Sequence, residues 1–360
     1  MNKKQAISVS LIAIAASLLA GAILLLILGK DPIAAYTHLL QGSGLLPKAA
    51  YAAHRGMFTD FMKFLTAMAP MLLAALAFAV ALRGGMFNIS IAGQMLAAGF
   101  TASLFIGYSS LPALIARPLA VTLGLITGGA IGAFIGWLKH RFNVNEVVSS
   151  IMVNYSLMYG ISFAINALCL DPVSRQSVRV GEAARLTLRN IPLGDYITDI
   201  SLGILLALAA AALVHIYMTR SIAGFSARIA GLSPTAARYA GIDLCRHYTG
   251  TMAFSGALAG LAGVCYYMGY YASIQMKVMP SMGFDAIAVS LLGCNNPLGI
   301  IGASFLITIL NKGSIYMSAM SGVDMEIASL IIGTMLIFSA CTAYMGQKLY
   351  GKNKGKETAK

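Results

Sequence analysis

A small set of polar side chains lies within or beside long apolar runs of this 360-residue chain. They are amides, carboxylates and one phenol, namely Asn88, Gln94, Asn145, Glu146, Asn154, Tyr155, Asp285 and Asn296. Amides and a phenol exchange hydrogen bonds readily with the polar groups of a small molecule. They are therefore the candidates for a solute path. For each residue taken singly, a polar contact between two helices is the competing interpretation.

Glu146 and Asp285 differ from the others because they carry a formal charge. A carboxylate inside an apolar helix bundle is costly and usually functional. Glu146 has a second interpretation, in which it lies at the end of its helix beside Lys139 and Arg141.

Metal and hydrolytic chemistry find no support in the sequence. The five histidines are dispersed, and neither a Cys-x-x-Cys pair nor a serine-hydrolase or zinc-protease motif occurs. Residues 346–353 resemble a phosphate-binding loop, but Asn353 stands where Ser or Thr would hold magnesium. The sequence predicts no catalytic residue, no metal site, no bound cofactor and no ATP hydrolysis by this chain alone.

Composition indicates which elements position these side chains. The chain is 58% hydrophobic and 10% charged, with a mean hydropathy of +0.79. Soluble domains carry about 25% charged residues. Because backbone groups in a bilayer must be satisfied internally, we expect an all-α polytopic membrane protein.

Apolar runs predict the spans. Residues 1–29 contain a first membrane helix, and residues 30–63 are typical of an interfacial amphipathic segment. Further runs near the ~20 residues that cross a bilayer follow at 64–82, 91–108, 112–138, 147–169, 198–217, 248–271 and 326–345. Two shorter pieces, 283–294 and 298–311, flank an Asn-Asn-Pro break, and a second break lies at 87–90. Broken helices of this kind are typical of transporters.

The positions of the basic residues behind the net charge of +13 predict how the chain is oriented in the membrane. In a soluble chain it would suggest nucleic-acid binding, but basic residues cluster at the N-terminus, at 139–141, in the loop 219–247 and in the tail 346–360. Lys and Arg are retained on the cytoplasmic side. An even number of crossings between these clusters requires 283–311 to be a hairpin. Together with the first helix in 1–29, the membrane core 64–345 then gives about ten membrane segments, some short and broken, with both termini cytoplasmic.

The loop 219–247 contains a predicted short helix. Ser233 is a favourable N-cap, Pro234 suits the first helical position and Gly241 is a natural stop. The helix would carry Ala237, Arg238 and Tyr239. It is either an interfacial turn touching anionic lipid or a docking helix for a cytoplasmic partner. Elsewhere, Gly124, Gly128, Gly132 and Gly136 recur every four residues, which predicts close approach of another helix.

Four strings resemble one family. Residues 85–94 (GMFNISIAGQ) resemble the G-x-F-N-I-G-x-E-G-Q motif of ABC importer permeases, and residues 143–155 resemble an N-E-V-I-x-T-x-M-x-N-Y segment. Residues 233–263 are similar to that family's coupling loop and next span. Residues 283–300 match its G-F-D-G-I-A-V-A-L-L-G-x-x-N-P-L-G-I pattern. The chain is identified as a member of the simple-sugar and nucleoside uptake group within the branched-chain and ribose-type permease superfamily.

This resemblance implies partners and a mechanism. Two permease chains, identical or related, would form the pore, and an extracytoplasmic binding protein would deliver the solute. Separate ATP-binding subunits, which use ATP and magnesium, would dock on the loop 219–247. The resemblance assigns ATPase coupling to Ser233, Pro234, Ala237, Arg238, Tyr239 and Gly241.

The chain departs from the family motif at Ser90, where the family has Gly, and at Ala92, where it usually has Glu. The missing carboxylate puts a substrate or gating role at position 92 in doubt. A nucleoside is the first expectation for the solute and a simple sugar the second. An ion-coupled secondary transporter is the alternative class, with Glu146 and Asp285 relaying protons.

Overall fold

The computed structural model of the protein describes residues 3–51, 55–193, 196–324 and 326–340. Within these residues the fold is largely helical, and two π-helical turns, Ser103–Gly107 and Cys265–Tyr271, extend the fourth and tenth helices. The helices in chain order are α1 Lys3–Ile27, α2 Pro32–Gly42, α3 Met57–Arg83, α4 Ile91–Ala102, α5 Ala113–Phe142, α6 Glu146–Leu168, α7 Leu202–Arg220, α8 Ile222–Leu232, α9 Pro234–Tyr239, α10 Leu244–Val264, α11 Met282–Leu292, α12 Pro297–Ser321 and α13 Glu326–Ala340.

The structure has a multi-pass architecture. Six helices of the described chain are long and apolar enough to cross a bilayer: α3, α5, α6, α7, α10 with its π-helical turn, and α12. The pair α1 and α2, bent by 119°, makes a seventh if it counts as one span. The helices α4, α8 and α11 are apolar but shorter. The tail 346–360 and residues 341–345 of the last predicted span lie outside the described residues.

Three details differ from the sequence-based expectation. The piece predicted at 298–311 is α12, which continues to Ser321, because the polar pair Asn311 and Lys312 finds partners inside the bundle. The helix α3 begins at Met57, inside the segment predicted as interfacial. The prediction of an all-α fold also misses two short strands, β1 (Thr187–Leu193) and β2 (Tyr196–Ser201). They pair antiparallel immediately before α7.

The helix α3 lies at the centre of the molecule. From Phe64 to Ala81 every residue except Leu65 is buried, and this run anchors the main apolar cluster. A helix that is apolar on all sides is expected in the core of a bundle rather than against lipid. The elements that carry the polar residues therefore pack around α3.

The helices α5 and α10 pack along the predicted glycine stripe. A Cβ added at Gly128 or Gly132 would overlap the backbone of α10 at Met252, Gly256 or Gly260. Such close backbone approach is open only to glycine. The prediction of a packing face at these glycines is confirmed.

The bundle has two distinct ends. At one, which we call the α9 end, α8 and α9 lie beside the junction of α3 and α4 and the start of α10. At the other, the strand end, β1 and β2 lie over α3 and the π-helical turn of α10, where Thr187 Oγ1 donates to Gly269 O at 3.0 Å. From there the irregular segment 272–281 leads to α11, held where Lys277 N donates to Ser162 Oγ at 2.8 Å.

Candidate solute path and coupling surface

The break between α3 and α4 contains a closed network of amide and hydroxyl groups. Asn88 Nδ2 donates to Ser255 Oγ at 2.8 Å and to Gln94 Oε1 at 3.2 Å, while Asn88 Oδ1 accepts from Ser90 N at 3.0 Å and Ser90 Oγ at 2.7 Å. Gln94 Nε2 donates to Ser90 Oγ at 2.7 Å, and Ser255 Oγ donates to Ala77 O at 2.7 Å. The side chains that form this Asn88 network are fully buried.

Asn154 of α6 joins the same region to a third helix. Its Oδ1 accepts from Gly93 N at 2.9 Å, and its Nδ2 donates to Ile89 O at 3.0 Å. Every side-chain oxygen and nitrogen of these amides therefore has a protein partner, and the network stabilises the break in this conformation. Contact of Asn88, Gln94 and Asn154 with a solute stays a prediction.

Glu146 begins α6 and pairs with the end of α5. Its Oε1 lies 2.7 Å from Lys139 Nζ, which also lies 5.2 Å from the ring centroid of Tyr248. Asn145 is the N-cap of α6, and its Oδ1 accepts from Val147 N at 2.8 Å. This geometry places Glu146 at a helix end beside Lys139, as its second interpretation holds.

The remaining predicted residues lie apart from one another. Tyr155 is half exposed on α6. Asp285, in the first turn of α11, accepts from Asn311 Nδ2 at 3.0 Å. Asn296 caps α12, with Oδ1 accepting from Leu298 N at 3.4 Å. The structure thus joins Asn88 and Gln94 in one network, binds Asn154 to the backbone of the same break, and leaves the other candidates separate.

A cluster of tyrosines, which sequence reasoning missed, lies where α10 runs into its π-helical turn. It consists of Tyr266, Tyr267, Tyr270 and Tyr271. The ring centroids of Tyr266 and Tyr271 are 4.9 Å apart, and those of Tyr270 and Tyr271 are 4.6 Å apart and nearly perpendicular. The aromatic density of the string CYYMGYY was the available signal. This string lies within the apolar run 248–271, which predicts a membrane span and nothing more specific.

Cavities surround this tyrosine cluster. The outer cavity, of about 320 Å³, lies towards the strand end and is lined by Tyr270, Tyr271, Lys312 and Arg185 among others. The inner cavity, of about 170 Å³, shares those tyrosines and Lys312 and extends to Thr308. Concave sites with aromatic walls and a few polar groups are typical of small-molecule binding.

The α9 end carries a surface of a different kind. Ser233 caps α9 by accepting from Ala236 N at 3.3 Å, with Pro234 at the first helical position, and Gly241 (φ +78°) ends the turn. The predicted short helix is therefore confirmed. Ala237 is buried against Ala230 and Leu244. Arg238 and Tyr239 face outward, with Tyr239 95% exposed. Ile222, Phe225 and Leu232 of α8 are exposed beside it.

The helix α8 rests directly on the break that the Asn88 network stabilises. Gly231 lies so close to Gly85 that a Cβ on either residue would overlap the other's backbone. From α10, His247 Nε2 donates to Gly84 O at 3.0 Å. A displacement of the α8–α9 surface would therefore reach the α3–α4 junction through backbone contacts.

Comparison with known proteins gives two kinds of match. The sequence profile described as "Branched-chain amino acid transport system / permease component" matches residues 61–340. The nucleoside ABC transporter permease protein NupB of Lactococcus lactis is 31% identical over 94% of this chain and 92% of its own length. The guanosine ABC transporter permease protein NupP of Bacillus subtilis is 34% identical over 97% of both.

A more distant relative is the glucose ABC transporter permease protein TsgB13 of Haloferax volcanii, 26% identical over 90% of this chain. The profile covers most of the sequence, the matches span nearly the full chain, and the fold consists of multiple apolar helices. The protein therefore belongs to the branched-chain amino acid transport system permease family of multi-pass ABC transporter subunits.

Proposed function

We propose that this chain is the transmembrane subunit of an ATP-driven importer for a nucleoside or a simple sugar. The observation that carries the proposal is the exposed α8–α9 surface, which is seated on the α3–α4 break and so connects a docking site to the interior of the bundle. ATP and magnesium are used by a separate subunit docked on 219–247. This chain holds no cofactor.

The proposed topology has about ten membrane segments in a bacterial cytoplasmic membrane. The basic clusters at 139–141 and 219–247 support a cytoplasmic location for the α9 end. It follows that both termini are cytoplasmic and that α4 and α11 complete their crossings through irregular backbone, which is tolerated where it is buried in protein.

The proposed assembly contains a second permease chain, identical or related, within the lipid bilayer. An extracytoplasmic solute-binding protein docks at the strand end, and no nucleic acid is involved. The names of the relatives NupB and NupP support a nucleoside as the solute, and the glucose permease supports a sugar as the second candidate.

The proposed path residues are the eight predicted from the sequence, and two parts of this set have a specific place in the proposal. Asp285 lies beside the inner cavity through its bond to Asn311. The amides of the Asn88 network act by shaping the α3–α4 break, and they contact solute only in a conformation that opens the network.

Uptake of radiolabelled guanosine and ribose by cells expressing the complete transporter tests the function. We expect uptake to stop after ATP depletion and to survive collapse of the proton gradient at constant ATP. Uptake that survives ATP depletion and stops with the gradient would contradict the proposal and indicate an ion-coupled carrier.

A further inference from the structure

Arg185 is a buried cation with unused hydrogen-bond donors. Its side chain is 4% exposed, and its Nη1 lies 3.5 Å from Glu182 Oε1. Its Nε and Nη2 have no partner among the described residues. Leaving such donors unpaired is costly. Arg185 lines the outer cavity, so a rotation of its guanidinium group would bring these donors to an acceptor bound there.

The outer cavity is rich in cationic side chains. Besides Arg185 it is lined by Lys63, Arg189 and Lys312, and Asp199 is the carboxylate among its described lining residues. Lys and Arg side chains only donate hydrogen bonds. The cavity therefore complements a solute that presents acceptor atoms close together.

Lys312 and the tyrosine cluster connect the outer cavity to the inner one. Lys312 Nζ lies 3.3 Å from Tyr270 Oη and 5.3 Å from the centroid of that ring. Deeper, the buried Thr308 hydroxyl lines the inner cavity and has no partner among the described residues. Asn311 also lines it and is oriented by Asp285. Polar groups thus continue along one route into the bundle.

We propose that the two cavities form the solute path and that Arg185 and Lys312 bind the O6–N7 edge of an oxopurine nucleoside whose base stacks on the tyrosine cluster. This inference rests on the proposed importer function. The two adjacent acceptors of that edge match Arg or Lys, and any base stacks on aromatic rings. A free sugar has neither a planar pair of adjacent acceptors nor an aromatic face that could stack on the tyrosine cluster.

The test uses proteoliposomes that contain the complete transporter, with ATP inside and the binding protein outside. Uptake of guanosine, inosine and adenosine is measured for each variant and divided by the wild-type value, so that the selectivity of the binding protein cancels. Arg185→Gln and Lys312→Met are each expected to lower guanosine and inosine uptake about 10-fold. Adenosine, which has an amino group in place of O6, is expected to lose far less.

Two further variants control for folding and charge. Arg185→Lys keeps the charge but loses the planar fork, so we expect it to assemble normally and still discriminate less between inosine and adenosine. Arg179→Gln removes an exposed cation at the same end and is expected to leave the ratio of inosine uptake to adenosine uptake unchanged.

Equal losses for the three nucleosides would overturn the inference, because they would show that Arg185 serves the fold or a partner protein. Unchanged uptake in the Arg185 and Lys312 variants would also overturn it. So would a wild-type transporter that imports sugars or pyrimidine nucleosides but none of the three purine nucleosides. Wild-type transporter that imports none of these solutes with ATP would instead contradict the proposed importer function.

Discussion

Asn88 uses its full hydrogen-bonding capacity at a point where the helical ladder is interrupted. Its amide oxygen accepts twice from Ser90, and its amide nitrogen donates to Gln94 and Ser255. In a bilayer an unpaired backbone or side-chain polar group costs several kcal/mol. A broken helix therefore needs such a side chain to remain stable inside the bundle.

Asn88→Ala should destabilise the protein strongly. The substitution leaves the buried Gln94 Oε1 and Ser90 N without the partner that Asn88 provides, at about 1–3 kcal/mol for each. We expect a clear drop in the thermal unfolding midpoint of the purified transporter, measured by tryptophan fluorescence or a thiol-reactive dye. Asn166→Ala, at an exposed position of α6, is the matched control. Equal midpoints for the two variants would refute the structural role.

The amides of this network could be predicted from sequence because polar residues in apolar runs are conspicuous. Their partners could not, since Ser255 lies 167 positions from Asn88 and nothing in either string links them. The tyrosine cluster and Arg185 were missed for a related reason. An aromatic run resembles a span, and an arginine in a loop is ordinary until its burial is known.

The contact between α5 and α10 is an element-scale property, because it depends on a row of glycines rather than on any one bond. Gly128 faces the backbone of Gly256 and Gly260, whereas a Cβ on its neighbour Gly129 would lie 3.4 Å from Ala253 O, an ordinary contact. Adjacent residues on one helix thus differ in the space available to them.

Gly128→Ala should therefore destabilise the bundle while Gly129→Ala should not. Overpacking of a close helix contact costs about 1–3 kcal/mol. The yield of folded transporter after detergent extraction and its thermal midpoint provide the measurement. Comparable behaviour of the two alanine variants would contradict the close packing of α5 on α10.

The contact of α8 with the α3–α4 break predicts a variant in which ATP hydrolysis is uncoupled from solute uptake. Gly231→Ala pushes against Arg83 O and Gly85 N. We expect it to retain the ATP-binding subunit but to lose most ATP-driven uptake. Gly250→Ala in α10, where a Cβ has no neighbour within 4 Å, should import normally. The ratio of solute imported to ATP hydrolysed measures both, and an unchanged ratio for Gly231→Ala would refute transmission through this contact.

Among the elements, α9 was the most predictable because its start and stop are encoded locally by Ser233, Pro234 and Gly241. The full length of α12 was not. Asn311 and Lys312 look like the end of an apolar piece, and only the tertiary contacts with Asp285 and Tyr270 allow the helix to continue. The paired strands β1 and β2 have no strong local signal within their polar segment.

At the scale of the whole molecule, two ends with different chemistry are connected through one core. The strand end presents a donor-rich cavity beside tyrosines, and the α9 end presents exposed apolar residues on a short helix. Between them lie the buried helix α3 and the Asn88 network at its break. The central claim is that the ATP-binding subunit displaces the α9 end and that the core transmits this displacement to the solute path.

Co-purification of the ATP-binding subunit with a variant that combines Arg238→Glu and Tyr239→Asp tests this claim most directly. Both side chains are exposed on α9, so the fold should survive. The matched control combines Arg179→Glu and Val173→Asp, which are exposed at the strand end. We predict that the α9 variant loses the ATP-binding subunit and that the control retains it. An α9 variant that retains the subunit and imports at the wild-type rate would contradict the account.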